Sequence, residues 1–376
     1  MMKWDSSNYS RSRLSRRSLL QSTAATLLTA PFISTSALAQ DKLAGSGEVV
    51  VFSYGGTFTE GVRKHVYEPF TKATGIKVID VVGDFAESQV KAMNQAGRID
   101  WDIAYIDNYQ QLHDAGMFVP IDYSLWEQES LEGTPMQARL NDAVAIFGVA
   151  MLLAYDHRAF PKGGPQNWAD FWDVKNFPGP RGLFAPNAPR NIVFALLADG
   201  VANKDIWPLT DDKIDRGLAK LSEIKPHITK WWTAGGEAPQ LLTNREYAIS
   251  SVYDGRVLSA IRQGAPIKLA WDGAALGYVN AAILKGGPNT QNAQKLIAFL
   301  NRAPIAAGWT QGTGYPGPNA NQVKYLPPEM LPLINISPEN APKCVMTDSA
   351  WLEAKRPDGK TNSEYIQERW LAWRAR

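Results

Sequence analysis

Two long apolar runs constrain the fold of this chain more than any other feature. The first run, AVAIFGVAMLLAYD (143–156), is longer than one ordinary β-strand. The second run, GYVNAAILKG (277–286), lies much later in the chain and is similarly apolar. Strands of this character suit connections that pass from one domain into another. We therefore predict that both runs cross between two domains.

Strand-like and helix-like segments alternate on both sides of the first run. Those before it are EVVVFS (48–53), a helix over 58–75, IKVIDVV (76–82), a helix over 84–97, WDIAYID (101–107) and a helix over 108–115. Those after it are RGLFAP, a helix from about 190, DKIDRGLAKLSEI, HITKWW, EYAISSVYDG, IKLAWD and helices over 290–302 and 362–374. This alternation predicts an α/β fold with a parallel, doubly wound sheet, which binds ligands beyond the carboxyl ends of its strands.

Residues 1–39 are predicted to be an export signal rather than part of the fold. Arg16-Arg17 precede a mild apolar stretch, and Ala37-Leu38-Ala39 has the form of a cleavage site. The apolar stretch is too short and too polar to span a bilayer stably. The paired arginines favour the twin-arginine route, which exports folded proteins, so we expect a periplasmic protein.

The remaining 337 residues exceed what one hydrophobic core usually serves, so we expect two domains. Without the signal the chain has 34 basic and 36 acidic side chains, a formal charge of −2, which gives no electrostatic case for binding nucleic acid. Cys344 is the only cysteine. Stability must therefore come from burial rather than from an intrachain disulfide.

Signatures of enzymes and cofactors are missing from the sequence. The four histidines show neither His-x-x-x-His spacing nor clustering with cysteine, so we expect no metal site. There is no phosphate-binding P-loop and no Gly-x-Ser-x-Gly nucleophile motif. GTGYPG (312–317) matches the dinucleotide-binding pattern formally, but no strand precedes it and its prolines open a helix poorly. We interpret it as a structured turn and expect no cofactor.

The turn SYGGTF (53–58) is a candidate ligand site. It joins the first predicted strand to a helix through paired glycines, which can serve merely to relieve crowding. Alternatively, the N–H groups of Gly55, Gly56, Thr57 and Phe58 bind a polar ligand at the helix N-terminus. Tyr54 would then provide a stacking or hydrogen-bonding wall.

Several segments together resemble the extracellular solute-binding proteins of ABC importers, most closely the spermidine/putrescine-binding branch. These segments are FTKATGIKV, WDIAYIDNYQQLHDAG, WADFWD, SVYDGRVLSAIRQGAPIKLAW, ILKGGPNTQNAQKLIAFLNR and GYPGPN. The resemblance extends in order along residues 40–376. It implies a type II periplasmic binding fold: two α/β lobes joined by two crossing strands that form the hinge, with the ligand between them. With the two apolar runs, it predicts lobe 1 from 40–147 and 279–320, lobe 2 from 148–278, and a C-terminal helical segment (321–376) packed on the lobes.

The resemblance also implies where a ligand amine would bind. Polyamine binders hold ammonium groups with carboxylates and aromatic rings, because a buried cation needs paired charge or a π face. Tyr253-Asp254 and Asp107-Asn108 are candidates for this role, although each aspartate could simply cap a turn or helix. Trp231 and Trp232 offer rings at an expected cleft edge, with core packing as the alternative.

Two segments depart from the polyamine-binding pattern. APNAPRNIVF (185–194) has Asn187 and Arg190 where acidic residues are expected. Arg190 would repel a dication but would suit a carboxylate, sulfate or phosphonate; alternatively it lies on the surface. AWDGAALGYVN (270–280) has Tyr278 and Asn280 where the branch has an acidic–aromatic pair, and it supplies Trp271 and Asp272 as further candidates.

We therefore expect a periplasmic, monomeric receptor that binds a small amine-bearing, polyamine-like solute and delivers it to the transmembrane subunits of an ABC permease. The alternative ligand is zwitterionic or anionic, such as an ω-amino acid, an opine or a phosphonate, and is held by Arg190. An exported enzyme on the same scaffold is a further alternative, as is an iron carrier, for which the paired tyrosines are missing. The candidate ligand-binding residues are Tyr54, Gly55, Gly56, Thr57, Phe58, Asp107, Asn108, Asn187, Arg190, Trp231, Trp232, Tyr253, Asp254, Trp271, Asp272, Tyr278 and Asn280.

Overall fold

The computed structural model describes residues 42–83 and 86–376. The predicted export signal, 1–39, lies outside these described residues. Within the described ranges, no helix has both the length and the apolar character needed to cross a bilayer.

The described chain is built from nine strands and fourteen helices. The strands are β1 Glu48–Ser53, β2 Lys77–Val82, β3 Ile103–Ile106, β4 Ala143–Asp156, β5 Arg181–Phe184, β6 Ile228–Trp232, β7 Ile249–Tyr253, β8 Ile267–Ile283 and β9 Val345–Met346. The helices are α1 Gly56–Val62, α2 Glu68–Thr74, α3 Ala86–Gln95, α4 Tyr109–Asp114, α5 Gln128–Gly133, α6 Trp168–Trp172, α7 Ala188–Ala198, α8 Asp211–Ile224, α9 Glu237–Thr243, α10 Asp254–Arg262, α11 Thr290–Leu300, α12 Ala303–Thr313, α13 Ser349–Glu353 and α14 Asn362–Arg374. A π-helical turn, Arg63–Tyr67, joins α1 to α2, and 3₁₀ turns occupy Tyr123–Leu125, Met136–Ala138, Asn203–Asp205, Lys225–His227, Ala320–Tyr325, Pro328–Leu333 and Ala341–Lys343.

The sheet is mixed, so the prediction of a parallel sheet was wrong for its centre. Its strand order is β2-β1-β3-β8-β4-β7-β5-β6, with β9 beside β8. β1 pairs in parallel with β2 and β3, and β5 pairs in parallel with β6 and β7. β8 pairs antiparallel with β3 and with β4, and β4 also pairs antiparallel with β7. The centre of the sheet is antiparallel because β4 and β8, which lie between the two parallel parts of the sheet, run in opposite directions.

β4 spans the predicted residues, whereas β8 merges two predicted strands into one of 17 residues. The sequence analysis predicts IKLAWD and GYVNAAILKG as separate strands, and Gly273 lies between them. In the structure Gly273 has φ +76° and lies where the pairing of β8 with β4 shifts register. The glycine therefore allows a bulge that bends β8 without ending it.

Two large hydrophobic cores lie on either side of the crossing strands. One contains side chains of β1, β3, α11 and the first part of β4, and we call the residues around it lobe 1. The other contains side chains of the rest of β4 with β5, β7 and α7, and we call its surroundings lobe 2. Each crossing strand passes from one core to the other: β4 does so between Phe147 and Ala150, and β8 does so between Leu276 and Val279.

The chain passes between the lobes a third time after α12. A small core there joins Leu258 of α10 and Ala307 of α12 to Leu326, Met330 and Ile334. β9 then pairs in parallel with β8 at Ala275–Leu276. Finally, α14 anchors on lobe 2 through Trp370, which is fully buried and donates its indole N–H to the Ala185 carbonyl at 3.0 Å.

Candidate functional site

A cleft between the lobes contains two neighbouring cavities. The first cavity has a volume of about 1060 Å³ and the second about 1310 Å³. Four residues line both: Asp107, Val149, Tyr253 and Val279. Because Val149 and Val279 belong to the crossing strands, the cleft floor is the hinge itself.

The SYGGTF turn forms one wall of the second cavity. Gly55 and Gly56 have positive φ angles of 76° and 54°, which explains the choice of glycine at both positions. The Gly55 N–H donates to Thr59 Oγ1 at 2.9 Å, so it is already satisfied within the turn. Tyr54 and Phe58 line the cavity, with ring centroids 5.3 Å apart. The side chain of Thr57 lies outside the described part of the chain.

Asp107 lies at the carboxyl end of β3, as predicted, and lines both cavities. Its backbone N–H and that of Asn108 donate to Glu87 Oε1 at 2.8 and 3.1 Å. Burial among the cleft walls, and then the Glu87 carboxylate, raise the pKa of Asp107 to about 6, while Arg190 acts in the opposite direction. The side chain still contacts solvent inside the cleft, so it can accept a ligand.

Arg190 reaches the first cavity from lobe 2, in the first turn of α7. Asn187 caps this helix by accepting the Arg190 N–H at 3.0 Å. The guanidinium carbon lies 5.5 Å from the centroid of the Tyr253 ring. A Cβ atom added to Gly277 would lie 3.8 Å from Nη2, which places the guanidinium beside the crossing strand β8. Arg190 therefore faces the cleft rather than the outer surface.

Five further predicted residues also line the cleft. Asn108, Asn187, Tyr278 and Asn280 line the first cavity, and Tyr253 lines both. Burial raises the pKa of Tyr253, although Arg190 opposes this shift. Burial also raises the pKa of Tyr278. Both phenols therefore remain protonated hydrogen-bond donors near neutral pH.

Asp254, a predicted partner of a ligand amine, lines neither cavity. Its side chain is buried, with 2% of the residue exposed. One carboxylate oxygen accepts the Gly255 N–H at 2.9 Å and the other accepts Asn335 Nδ2 at 2.9 Å. Asp254 is thus a buried residue beside the crossing strands.

The predicted tryptophans and Asp272 also lie away from both cavities. Trp232 is fully buried, with its ring centroid 4.3 Å from that of Phe184. Trp231 packs against Trp370 of the C-terminal helix. Trp271 is buried and donates its indole N–H to a backbone carbonyl at 3.0 Å, while Asp272 is exposed. Trp231 and Trp232 therefore pack as in the alternative considered for them from sequence, core packing.

Several cleft residues were missed by sequence reasoning. Glu87, which lines neither cavity but accepts the Asp107 N–H, was also missed, because nothing in the local sequence connects it to Asp107. Phe147 and Tyr315 line the second cavity, and Arg256 lies there as well. Tyr315 belongs to the GYPGPN segment that carries the family resemblance, and that signal could have identified it. Within the described residues, no cluster of three or more His, Cys, Asp or Glu side chains could hold a metal ion.

Comparisons with known proteins agree with this architecture. A family model described as bacterial extracellular solute-binding protein matches residues 65–330. The chain is 29% identical over 340 residues to the gamma-aminobutyric acid-binding protein of Pseudomonas aeruginosa, covering 89% of this chain and 92% of that protein. It is 26% identical over 284 residues to the spermidine/putrescine-binding periplasmic protein of Salmonella typhimurium, covering 73% and 79%. A solved ABC transporter structure from Rhodopseudomonas palustris is 34% identical, with a TM-score of 0.70 over 87% of this chain and 99% of that one.

The mixed α/β sheet and the interlobe cleft define a two-lobed periplasmic binding protein. The chain belongs to the bacterial extracellular solute-binding protein family, and it is the solute-binding component of an ABC transporter. The resemblance found in the sequence is thereby confirmed. Members of this family bind small solutes and work with permease subunits.

Proposed function

We propose that this protein captures a small solute with an ammonium group and a carboxylate, of which a short ω-amino acid is the simplest case. Asp107 of lobe 1 would hold the ammonium, and Arg190 of lobe 2 would hold the carboxylate. The observation that carries this proposal is the position of Arg190 in the same cavity as Asp107. The gamma-aminobutyric acid-binding relative supports this ligand class.

The charge of Arg190 favours a ligand carboxylate over a second ammonium group beside it, while Asp348, Glu353, Glu364 and Glu368 also line the first cavity. Arg190 forms no salt bridge with any carboxylate among the described residues, so its charge is available to a ligand. A carboxylate can accept two parallel N–H bonds from a guanidinium. A second ammonium in that place would instead meet an unpaired positive charge in a partly desolvated site. The proposal thus takes up the alternative ligand class rather than the polyamine-like one.

Binding two charges from different lobes also explains why closure accompanies capture. We expect the ligand to contact Asp107 and Arg190 most closely when the lobes close over it. Closure excludes water from the cleft, and each polar contact becomes stronger in the lower dielectric. The permease then distinguishes the closed, loaded state from the open one.

Three further features belong to this proposal. The lobes would comprise 40–147 with 279–320 and 148–278, with 321–376 as the C-terminal segment; the two hydrophobic cores support this division. The protein would act as a monomer in the periplasm. It would reach the periplasm by the twin-arginine route, for which Arg16-Arg17 are the supporting residues.

Calorimetry and thermal shift with 4-aminobutyrate, butylamine, butyrate and putrescine test the ligand class. We expect 4-aminobutyrate to bind most tightly and to stabilise the folded protein by about 2.7 kcal/mol at a hundredfold excess over its Kd. The Arg190→Ala variant should lose roughly tenfold to a hundredfold in affinity, the range for charge-assisted hydrogen bonds.

Arg256→Ala is the matched control. Arg256 belongs to the same lobe but lines only the second cavity. Its removal should leave 4-aminobutyrate binding nearly unchanged. The proposal is wrong if putrescine binds best and Arg190→Ala has no effect, or if Arg256→Ala has the larger effect.

A further inference from the structure

The two cavities of the cleft meet at Asp107, and each is lined by both polar and apolar side chains. Arg190 and several amides line the first cavity. The second cavity has a wall of aromatic rings on its lobe 1 side. A ligand nitrogen bound at Asp107 therefore has Arg190 on one side and this aromatic wall on the other.

The aromatic wall of the second cavity is continuous. The ring centroids of Phe58 and Phe147 are 5.8 Å apart, and those of Phe147 and Tyr315 are 5.5 Å apart. Tyr54 continues the wall beside Phe58, and Tyr253 faces it from lobe 2. The rings of Tyr54, Phe58 and Tyr315 are half-buried, and all three line the second cavity.

The charges of the second cavity argue against a second ammonium group there. Among the described residues that line it, Asp107 is the only carboxylate, and the other charged residues are Arg256 and Arg262. A diamine bound at Asp107 would thus extend its other end towards positive charge. A neutral, apolar group would instead gain contact with the rings and bury its surface.

We propose that the second cavity is a subsite for an apolar or aromatic substituent on the ligand's amine nitrogen. This inference rests on the proposed function and extends the ligand class from primary ω-amino acids to N-substituted ones. A secondary ammonium keeps its positive charge and two N–H donors for Asp107. Its carboxylate arm reaches Arg190, and its substituent packs against the rings of Phe58 and Tyr315.

The test compares N-benzyl-4-aminobutyrate with 4-aminobutyrate by isothermal titration calorimetry on the wild-type protein. We expect the benzyl compound to bind about tenfold more tightly, the gain typical of a phenyl ring packed against aromatic side chains. Tyr315→Leu should reduce that ratio, because it removes one ring while keeping apolar volume.

Ser259→Trp provides a second variant that does not remove a wall residue. Ser259 is exposed on α10 and borders the second cavity, so the larger side chain would occupy its space. The gain for the benzyl compound should disappear while 4-aminobutyrate binds as before. Melting temperatures of both variants check that they fold.

The possible results separate this inference from the proposed function. If 4-aminobutyrate binds and the benzyl compound binds no more tightly than it does, the second cavity is no subsite and only the inference fails. The same conclusion follows if Ser259→Trp leaves the ratio of the two Kd values, for the benzyl compound and for 4-aminobutyrate, unchanged. If neither compound binds, the proposed function fails and takes the inference with it.

Discussion

Acidifying the cleft through about pH 6 should weaken the binding of an ammonium-bearing solute. Burial and the Glu87 carboxylate raise the pKa of Asp107 to about 6. Only the ionised carboxylate attracts an ammonium group strongly. Ligand binding therefore competes with protonation of Asp107, and the competition grows as the pH falls through that value.

The size of this effect follows from the pKa. If protonated Asp107 does not bind, the apparent Kd increases about elevenfold at roughly pH 5 but only by about 3% at roughly pH 7.5. An aspartate with an ordinary pKa of about 3.9 would give a change of roughly 1.1-fold over the same range. The ammonium and carboxylate of 4-aminobutyrate both remain largely charged across this interval, so the ligand contributes little.

Glu87→Gln tests the cause of the raised pKa. Glutamine retains the Oε1 acceptor for the N–H groups of Asp107 and Asn108 but removes the negative charge. The pKa of Asp107 should fall, and the midpoint of the affinity profile should move to lower pH. A purely structural role for Glu87 would leave that midpoint where it is in the wild-type protein.

The assay is calorimetric titration of 4-aminobutyrate at several pH values, with circular dichroism to confirm folding at each. Asp107→Asn should abolish the pH dependence together with most of the affinity. Asp254→Asn is the control for the other carboxyl that titrates nearby, because burial raises the pKa of Asp254 to about 7. The Asp254→Asn variant should still lose affinity for 4-aminobutyrate as the pH falls through about 6. A wild-type affinity that is unchanged down to roughly pH 5 would refute Asp107 as the ammonium partner.

Three further predictions concern stability. Raising the pH from about 4 to about 8 should favour Asp254→Asn over wild type by about 1–4 kcal/mol in unfolding free energy, because burial raises the wild-type carboxyl pKa to about 7 and the amide does not ionise; urea unfolding of both proteins at both pH values would show this. Gly273→Ala should lower the melting temperature more than Gly359→Ala, because both have positive φ but only at Gly273 would a Cβ come within 2.7 Å of Leu197. Trp370→Ala should cost about 3–5 kcal/mol in chemical unfolding and should expose α14 to proteolysis.

The local elements could be predicted from sequence where one pattern dominated. β1, β4 and α14 have the predicted bounds: the two strands are continuous apolar runs, and α14 begins directly after Thr361, which forms a capping box with Glu364. α12 was missed because Pro304 and its glycines disfavour a helix on average. In the structure Pro304 lies in the first turn of α12, where it replaces an N–H that has no intrahelical partner.

The aromatic residues were harder to place, because a tryptophan suits a core as well as a ligand site. Trp231 and Trp271 follow strand-like residues, as a cleft residue would. What decides their place is the packing of 321–376, since Trp231 meets Trp370 and Trp271 bonds to the Pro332 carbonyl. No local pattern in the sequence encodes these distant partners.

The pairing of Asp107 with Arg190 depends on the crossing strands rather than on any local motif. β8 pairs with β3 at Ile106 and carries Gly277 beside the Arg190 guanidinium, so one strand relates the two charged residues. β4 pairs with β8 through the same region, placing Val149 opposite Gly277. Bending of the crossing strands therefore changes the separation of the two charges directly. A solute that spans both charges favours the bent, closed arrangement by the amount by which it binds that arrangement more tightly.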